Sequence, residues 1–216
     1  MDDRLTDVEA RVLGSLIEKE MTTPDHYPLS LNALTNACNQ TSNREPVVQY
    51  SEATVADAVE AMRRRSLVRA VQQAGARATK YRHLAGETLG TIARQTALLS
   101  VLMLRGPQTL AELRTRASRL VPFESLEEVE TALDQLISRE PAALVARLPR
   151  RPGQKEVRYA HLLSGEVTFD APDPVAVARA PVDADRVGAL EEALGELRNE
   201  VADLRNQLAE FRKQFE

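Results

Sequence analysis

The sequence predicts a mainly α chain with small β-hairpins, an α+β architecture in which one unit is used twice before a helical tail. Three observations carry that reading. A layout of about eighty residues recurs. Each copy reads helix, helix, helix, strand, turn, strand. A heptad pattern closes the chain.

The repeat is visible in quoted sequence. TVADAVEAMRRRSLVRAV followed by KYRHLAG, within residues 54–86, shares its layout with EVETALDQLISREPAALVARL followed by VRYAHLLSG, within residues 128–165. Each segment gives an amphipathic helix, a Val/Leu-rich strand, a polar turn with a glycine, and a second strand. The second strands end alike, with Tyr81, His83 and Leu84 matching Tyr159, His161 and Leu162.

The remaining elements follow in order. Thr6 and Glu9 form a capping box opening a first helix, and Leu5, Val8, Val12, Leu16 and Ile17 make its apolar stripe. Ser30 caps a short second helix carrying Leu31 and Leu34. Ser51 caps a third, with Val55, Ala58, Val59 and Met62 inward. In the second half, Leu89, Ile92, Leu99, Leu102 and Met103 mark the first helix. Thr109 with Glu112 and Ser125 with Glu128 are capping boxes for the next two. Three helices and a β-hairpin in this order make a winged helix. The wing turns fall at residues 73–77 and 149–155, where Gly75 and Gly153 permit positive φ. The expected boundaries are a first winged helix over 1–86, a second over 87–165, a Pro/Asp/Ala-rich linker over 166–185 and a coiled-coil helix over 186–216.

The tail seam is Val187, Leu190, Leu194, Leu197, Val201, Leu204, Leu208 and Phe211, alternating three and four apart. In a parallel pair Arg186 faces Glu191 and Glu200 faces Arg205, with no like-charge clash. The seam therefore points to a homo-oligomer, a dimer first, with folding back onto the chain's own body as the alternative.

Composition narrows the function. The net charge of −4 belongs to the tail, because residues 166–216 hold 12 acidic and 6 basic side chains. The body is neutral to slightly basic, which permits nucleic-acid contact without announcing it. The single cysteine, Cys38, excludes an intramolecular disulfide and reads as a small core residue. With no long apolar run and no signal pattern, the expected location is the cytoplasm, away from any membrane. No HExxH, paired CxxC, GxSxG or Gly-rich phosphate loop occurs, and His26, His83 and His161 lie far apart. No enzyme, metal, cofactor or small-molecule substrate is expected.

A winged helix meets DNA with its third helix and its wing, and Lys and Arg supply most of the affinity. The third helices here are acidic at their starts, with Glu52, Asp57 and Glu60 in one and Glu127, Glu128, Glu130 and Asp134 in the other. The basic side chains lie at the end of the first third helix and around the wings: Arg63, Arg64, Arg77, Lys80, Arg150, Arg151 and Lys155. Between the second and third helices runs CNQTSNREPVVQYSE, residues 38–52, longer than such turns usually are. Asn39, Gln40, Asn43 and Arg44 there are candidate contacts to DNA or to a protein partner. The alternative is a structural loop with its amides in a buried hydrogen-bond network.

ALTNACNQTSNREPVVQYSEATVADAV, with RVLGSLIEKEMTTPDHYPLSL before it, resembles the YceH-like family of bacterial proteins over most of residues 5–165. Glu45 stands where that family more often has Asp. The resemblance implies a tandem winged helix with a variable C-terminal helical extension, and it brings no activity and no site residues. Two functions remain side by side: a DNA-binding, transcription-regulator-like dimer, and a protein-interaction scaffold similar in architecture to the tandem winged-helix subunits of chromosome-condensation complexes.

Overall fold

A computed structural model describes residues 4–72, 78–150 and 156–165. The first half runs α1 (Asp7–Thr22), a 3-10 turn (Pro24–His26), β1 (Leu29–Ser30), α2 (Leu31–Cys38), α3 (Glu52–Arg64), β2 (Val68–Val71) and β3 (Lys80–His83). A short α4 (Ala85–Leu89) leads into the second: α5 (Ala93–Arg105), β4 (Gln108–Thr109), α6 (Leu110–Ala117), α7 (Leu126–Ile137), β5 (Val145–Leu148) and β6 (Arg158–His161). The described chain is α+β, mainly helical, with small antiparallel sheets.

The helix starts follow from their caps. Thr6 and Glu9 exchange both capping-box bonds, at 3.2 and 2.8 Å, as do Thr109 and Glu112, at 3.3 and 2.9 Å. Ser30 and Ser51 accept from the third backbone N–H beyond them. The box expected at Ser125 is half made. Ser125 accepts from the Glu128 N–H, but the Glu128 carboxylate takes the N–H of Glu124 and pairs with Arg94 instead.

Two expectations change. The helix predicted to run through Leu89 and Ile92 breaks between them, because Gly90 adopts φ +58° and ends α4. Ile92 then lies outside the core, 61% exposed. Each hairpin also gains a third strand, two residues long, which no alternation rule could reveal. The sheets are ordered β1-β3-β2 and β4-β6-β5, and their registers repeat. Leu29 and Gln108 face Tyr81 and Tyr159; Val68 and Val145 face His83 and His161.

One apolar cluster holds Leu13, Leu16, Ile17, Val59 and Met62 from the first half with Leu98, Leu99, Leu102, Leu133 and Tyr159 from the second. Gly14 lets α1 and α5 approach closely. A Cβ there would stand 3.0 Å from Leu104 Cγ and 3.2 Å from Met103 Cβ. The Ser100 hydroxyl, fully buried, donates to the Gly14 carbonyl at 3.0 Å across the same contact. The turn glycines Gly75 and Gly153 and the tail seam from Val187 to Phe211 lie outside the described residues.

Candidate nucleic-acid or partner interface

The connection between α2 and α3 turns its polar groups inward. Asn39 donates to the Tyr50 carbonyl at 2.8 Å and accepts from the Tyr50 N–H at 2.8 Å, closing the neck of the loop with one side chain. Arg44 is 5% exposed. Its Nε and Nη2 reach the Ala37 carbonyl at 3.1 and 2.8 Å, satisfying an orphan acceptor at the end of α2. Its Nη1 donates to the Asn43 carbonyl at 2.9 Å, and Nη2 also meets Gln40 Oε1 at 3.1 Å and Glu18 Oε2 at 2.5 Å. Asn43 sits at φ +60°, a conformation Asn tolerates better than most residues.

The loop then reaches the second half. Asn43 Oδ1 accepts from Arg105 Nη2, the Glu45 N–H donates to the Leu104 carbonyl at 2.8 Å, and the other oxygen of Glu18 is held by Arg119. Arg11 braces the loop from α1, donating to the carbonyls of Cys38 at 3.1 Å and Pro46 at 2.6 Å. Glu18 is buried, and burial alone would raise its pKa. The hydrogen bond and charge of Arg44, with the charge of Arg119, hold it below the ordinary carboxylate value. A buried charge paired on both oxygens is the arrangement such burial requires.

Arg44 and Asn39 are two of the candidate contacts, and the internal-network alternative describes their bonds in the structure. Their polar groups are engaged within the chain. Gln40 and Asn43 are half-buried and bonded to Arg44 and Arg105. The exposed part of the loop is Thr41, Ser42, Pro46, Val47 and Gln49. Sequence reasoning missed Arg11, Glu18, Arg105 and Arg119 as the partners. Arg11 and Glu18 sit two helical turns apart along α1, oppositely charged on one face with Gly14 between them.

The third-helix surfaces are acidic. On α3, Glu52, Asp57 and Glu60 are exposed before Arg63 and Arg64 at its end, and Glu60 pairs with Arg63 at 2.6 Å. On α7, Glu127, Thr131 and Asp134 are exposed, and no Lys or Arg occurs between Leu126 and Ile137. Arg147 lies 6.0 Å over the Tyr159 ring. Burial raises the Tyr159 pKa against the opposing charge of Arg147, and Glu130 and Asp134 raise it further. Arg147 thus shares its surroundings with the acidic helix.

Of the other wing cations, Arg69 and Arg150 are exposed and Lys80 is half-buried on β3. Arg158 turns back to the Pro107 carbonyl at 2.9 Å and to Glu112 at 3.2 Å. Arg77, Arg151 and Lys155 lie outside the described residues.

The two matched histidines differ. His83 Nδ1 accepts from the Ala85 N–H at 3.2 Å, and its Nε2 meets Glu20 at 2.7 Å, holding the Glu20 pKa down. Tyr27 Oη accepts from the His83 N–H at 2.7 Å. His161 Nδ1 is sealed from solvent without a partner among the described residues, and burial pushes this imidazole down to about 4. The buried Cys38 thiol is pushed up to about 11 by burial, so it is a poor nucleophile. Among the described residues no group of three His, Cys, Asp or Glu could hold a metal, and no helix is long and apolar enough to cross a membrane.

Residues 5–154 match the family described as "Protein of unknown function, DUF480". The chain is 51% identical over 198 residues to a UPF0502 protein of Pelobacter propionicus, covering 89% of each. It is 49% identical over 199 residues to a UPF0502 protein of Vibrio vulnificus, covering 88% of this chain and 90% of that one. A UPF0502 protein of Geobacter sulfurreducens is 48% identical over 196 residues, covering 88% and 89%. The family match over residues 5–154 and relatives aligned over nearly their whole length agree: the chain belongs to the DUF480/UPF0502 family of bacterial proteins.

Proposed function

We propose that the chain is a non-catalytic tandem winged-helix protein, YceH-like in kind, that works as a protein-interaction scaffold. The winged-helix reading is supported by the element order of each half, where the third helix precedes a hairpin. The scaffold reading rests on the exposed face of α7, with Glu127, Thr131 and Asp134 outward and no cation along the helix. A phosphate backbone is repelled by that face, and a basic protein segment is attracted. The tail seam supplies self-association into a cytoplasmic dimer, which a truncation before Arg186 tests directly in light scattering. The scaffold is tested by capture from a native lysate with and without nuclease. A protein partner should survive nuclease and be lost with the double variant E127K/D134K. A partner that disappears with nuclease sinks this reading.

DNA contact through the end of α3 and the wings is the second reading, supported by exposed Arg63, Arg64, Arg69 and Arg150. It requires duplex binding that falls steeply with added salt. Absence of retardation at low salt ends it.

A further inference from the structure

Where α5 ends beside α6 and the tip of the 39–51 loop, arginines outnumber carboxylates. Arg44 and Arg119 occupy the two oxygens of Glu18. Arg105, half-buried at the last position of α5, gives Nη2 to Asn43 Oδ1, which carries no charge. Arg116, in the last turn of α6, has Glu112 as its carboxylate partner among the described residues, at 3.6 Å, beyond hydrogen-bond length, and Arg158 claims Glu112 at 3.2 Å. Glu45 is the one further carboxylate that acts on Arg105. Arg44, Arg105, Arg116, Arg119 and Arg158 therefore share three carboxylates, Glu18, Glu45 and Glu112, so positive charge is in excess at this junction.

Crowding of this kind is unfavourable without an anion. The Arg105 pKa is lowered by burial and by Arg116 and Arg119, with Glu45 and Glu18 opposing. The donors remain reachable, since the side chains of Arg116 and Arg119 are 28% and 38% exposed. A guanidinium fork binds tetrahedral oxyanions through two parallel N–H bonds. We propose that Arg105, Arg116 and Arg119 bind a phosphate group at the junction of the two halves. A phosphate group offsets the crowded positive charge and takes N–H groups that have no acceptor among the described residues. The group is either a free or small-molecule phosphate, or one phosphate of a nucleic-acid backbone.

Calorimetric titration of the full chain with inorganic phosphate at low ionic strength tests this. Saturable binding is expected, weakened at least tenfold in both R116Q and R105Q. R116Q should keep the wild-type unfolding midpoint, since Arg116 takes no part in the Glu18 pairing. A mixed-sequence duplex added as competitor identifies the source: displacement of phosphate assigns the site to a nucleic-acid backbone, and no displacement assigns it to a free phosphate group. The proposal is overturned by the absence of saturable binding to wild type, or by variants that titrate like it. Protein capture is not measured here, so the scaffold reading stands or falls separately.

Discussion

The two halves of the chain repeat one another in element order and strand register, yet their connections between second and third helices differ in length and in how much they carry across. Residues 118–125 make a short turn that buries Phe123 and points Arg119 away from its own half. Residues 39–51 are longer, and the added length carries Asn43, Arg44 and Glu45 across to α1 and α5. The halves also treat one matched histidine differently: His83 accepts from the Ala85 N–H and lies 2.7 Å from the Glu20 carboxylate, whereas His161 Nδ1 has no hydrogen-bond partner among the described residues. The longer loop thus adds polar ties to the apolar contact that α1 and α5 already make.

The largest test of that contrast is Arg44→Ala. It leaves Glu18 buried with one partner removed, at a cost of about 3–5 kcal/mol. Denaturant unfolding should show the midpoint falling sharply, and a loss under about 1 kcal/mol would mean that the loop is not the tie.

Next comes the histidine asymmetry. The folded His161 pKa, about 4, lies below its ordinary value of 6.5, so the unfolded chain binds the proton more readily. Its contribution to stability is full above about pH 6.5, declines as pH falls, and is lost near pH 4, by up to about 3 kcal/mol. His161→Gln should flatten the stability profile in that window. His83→Gln should act differently, because it breaks the contact that lowers the Glu20 pKa.

The smallest effect is expected for Asn39→Ala, which strands the N–H and C=O of Tyr50 in a part-buried neck. A loss of about 1–2 kcal/mol is expected from melting curves, where the equivalent loop of the second half has no such bridge to lose.

Much of the framework was legible because capping and periodicity are local. Thr6, Ser30, Ser51 and Thr109 cap helices where they were expected to. The break at Gly90 was not legible, since Ile92 fits a helical period while its exposure depends on what packs nearby. The loop carried both readings in its composition. Asn, Gln and Arg suit a nucleic-acid groove and an internal network equally, and only a partner distant in sequence decides between them. Glu18, Arg105 and Arg119 are such partners, and nothing local marks them as belonging to residues 39–44.

Gly14 sets an order on synthesis. The first half leaves the ribosome with the α1 face around Gly14 bare and Glu18 held by Arg44 alone. Ser100 and Leu104 close that face only when α5 emerges, and the second oxygen of Glu18 waits for Arg119. The nascent first half is therefore an incomplete object, exposed to other apolar surfaces until about thirty further residues, through Arg119, have been made.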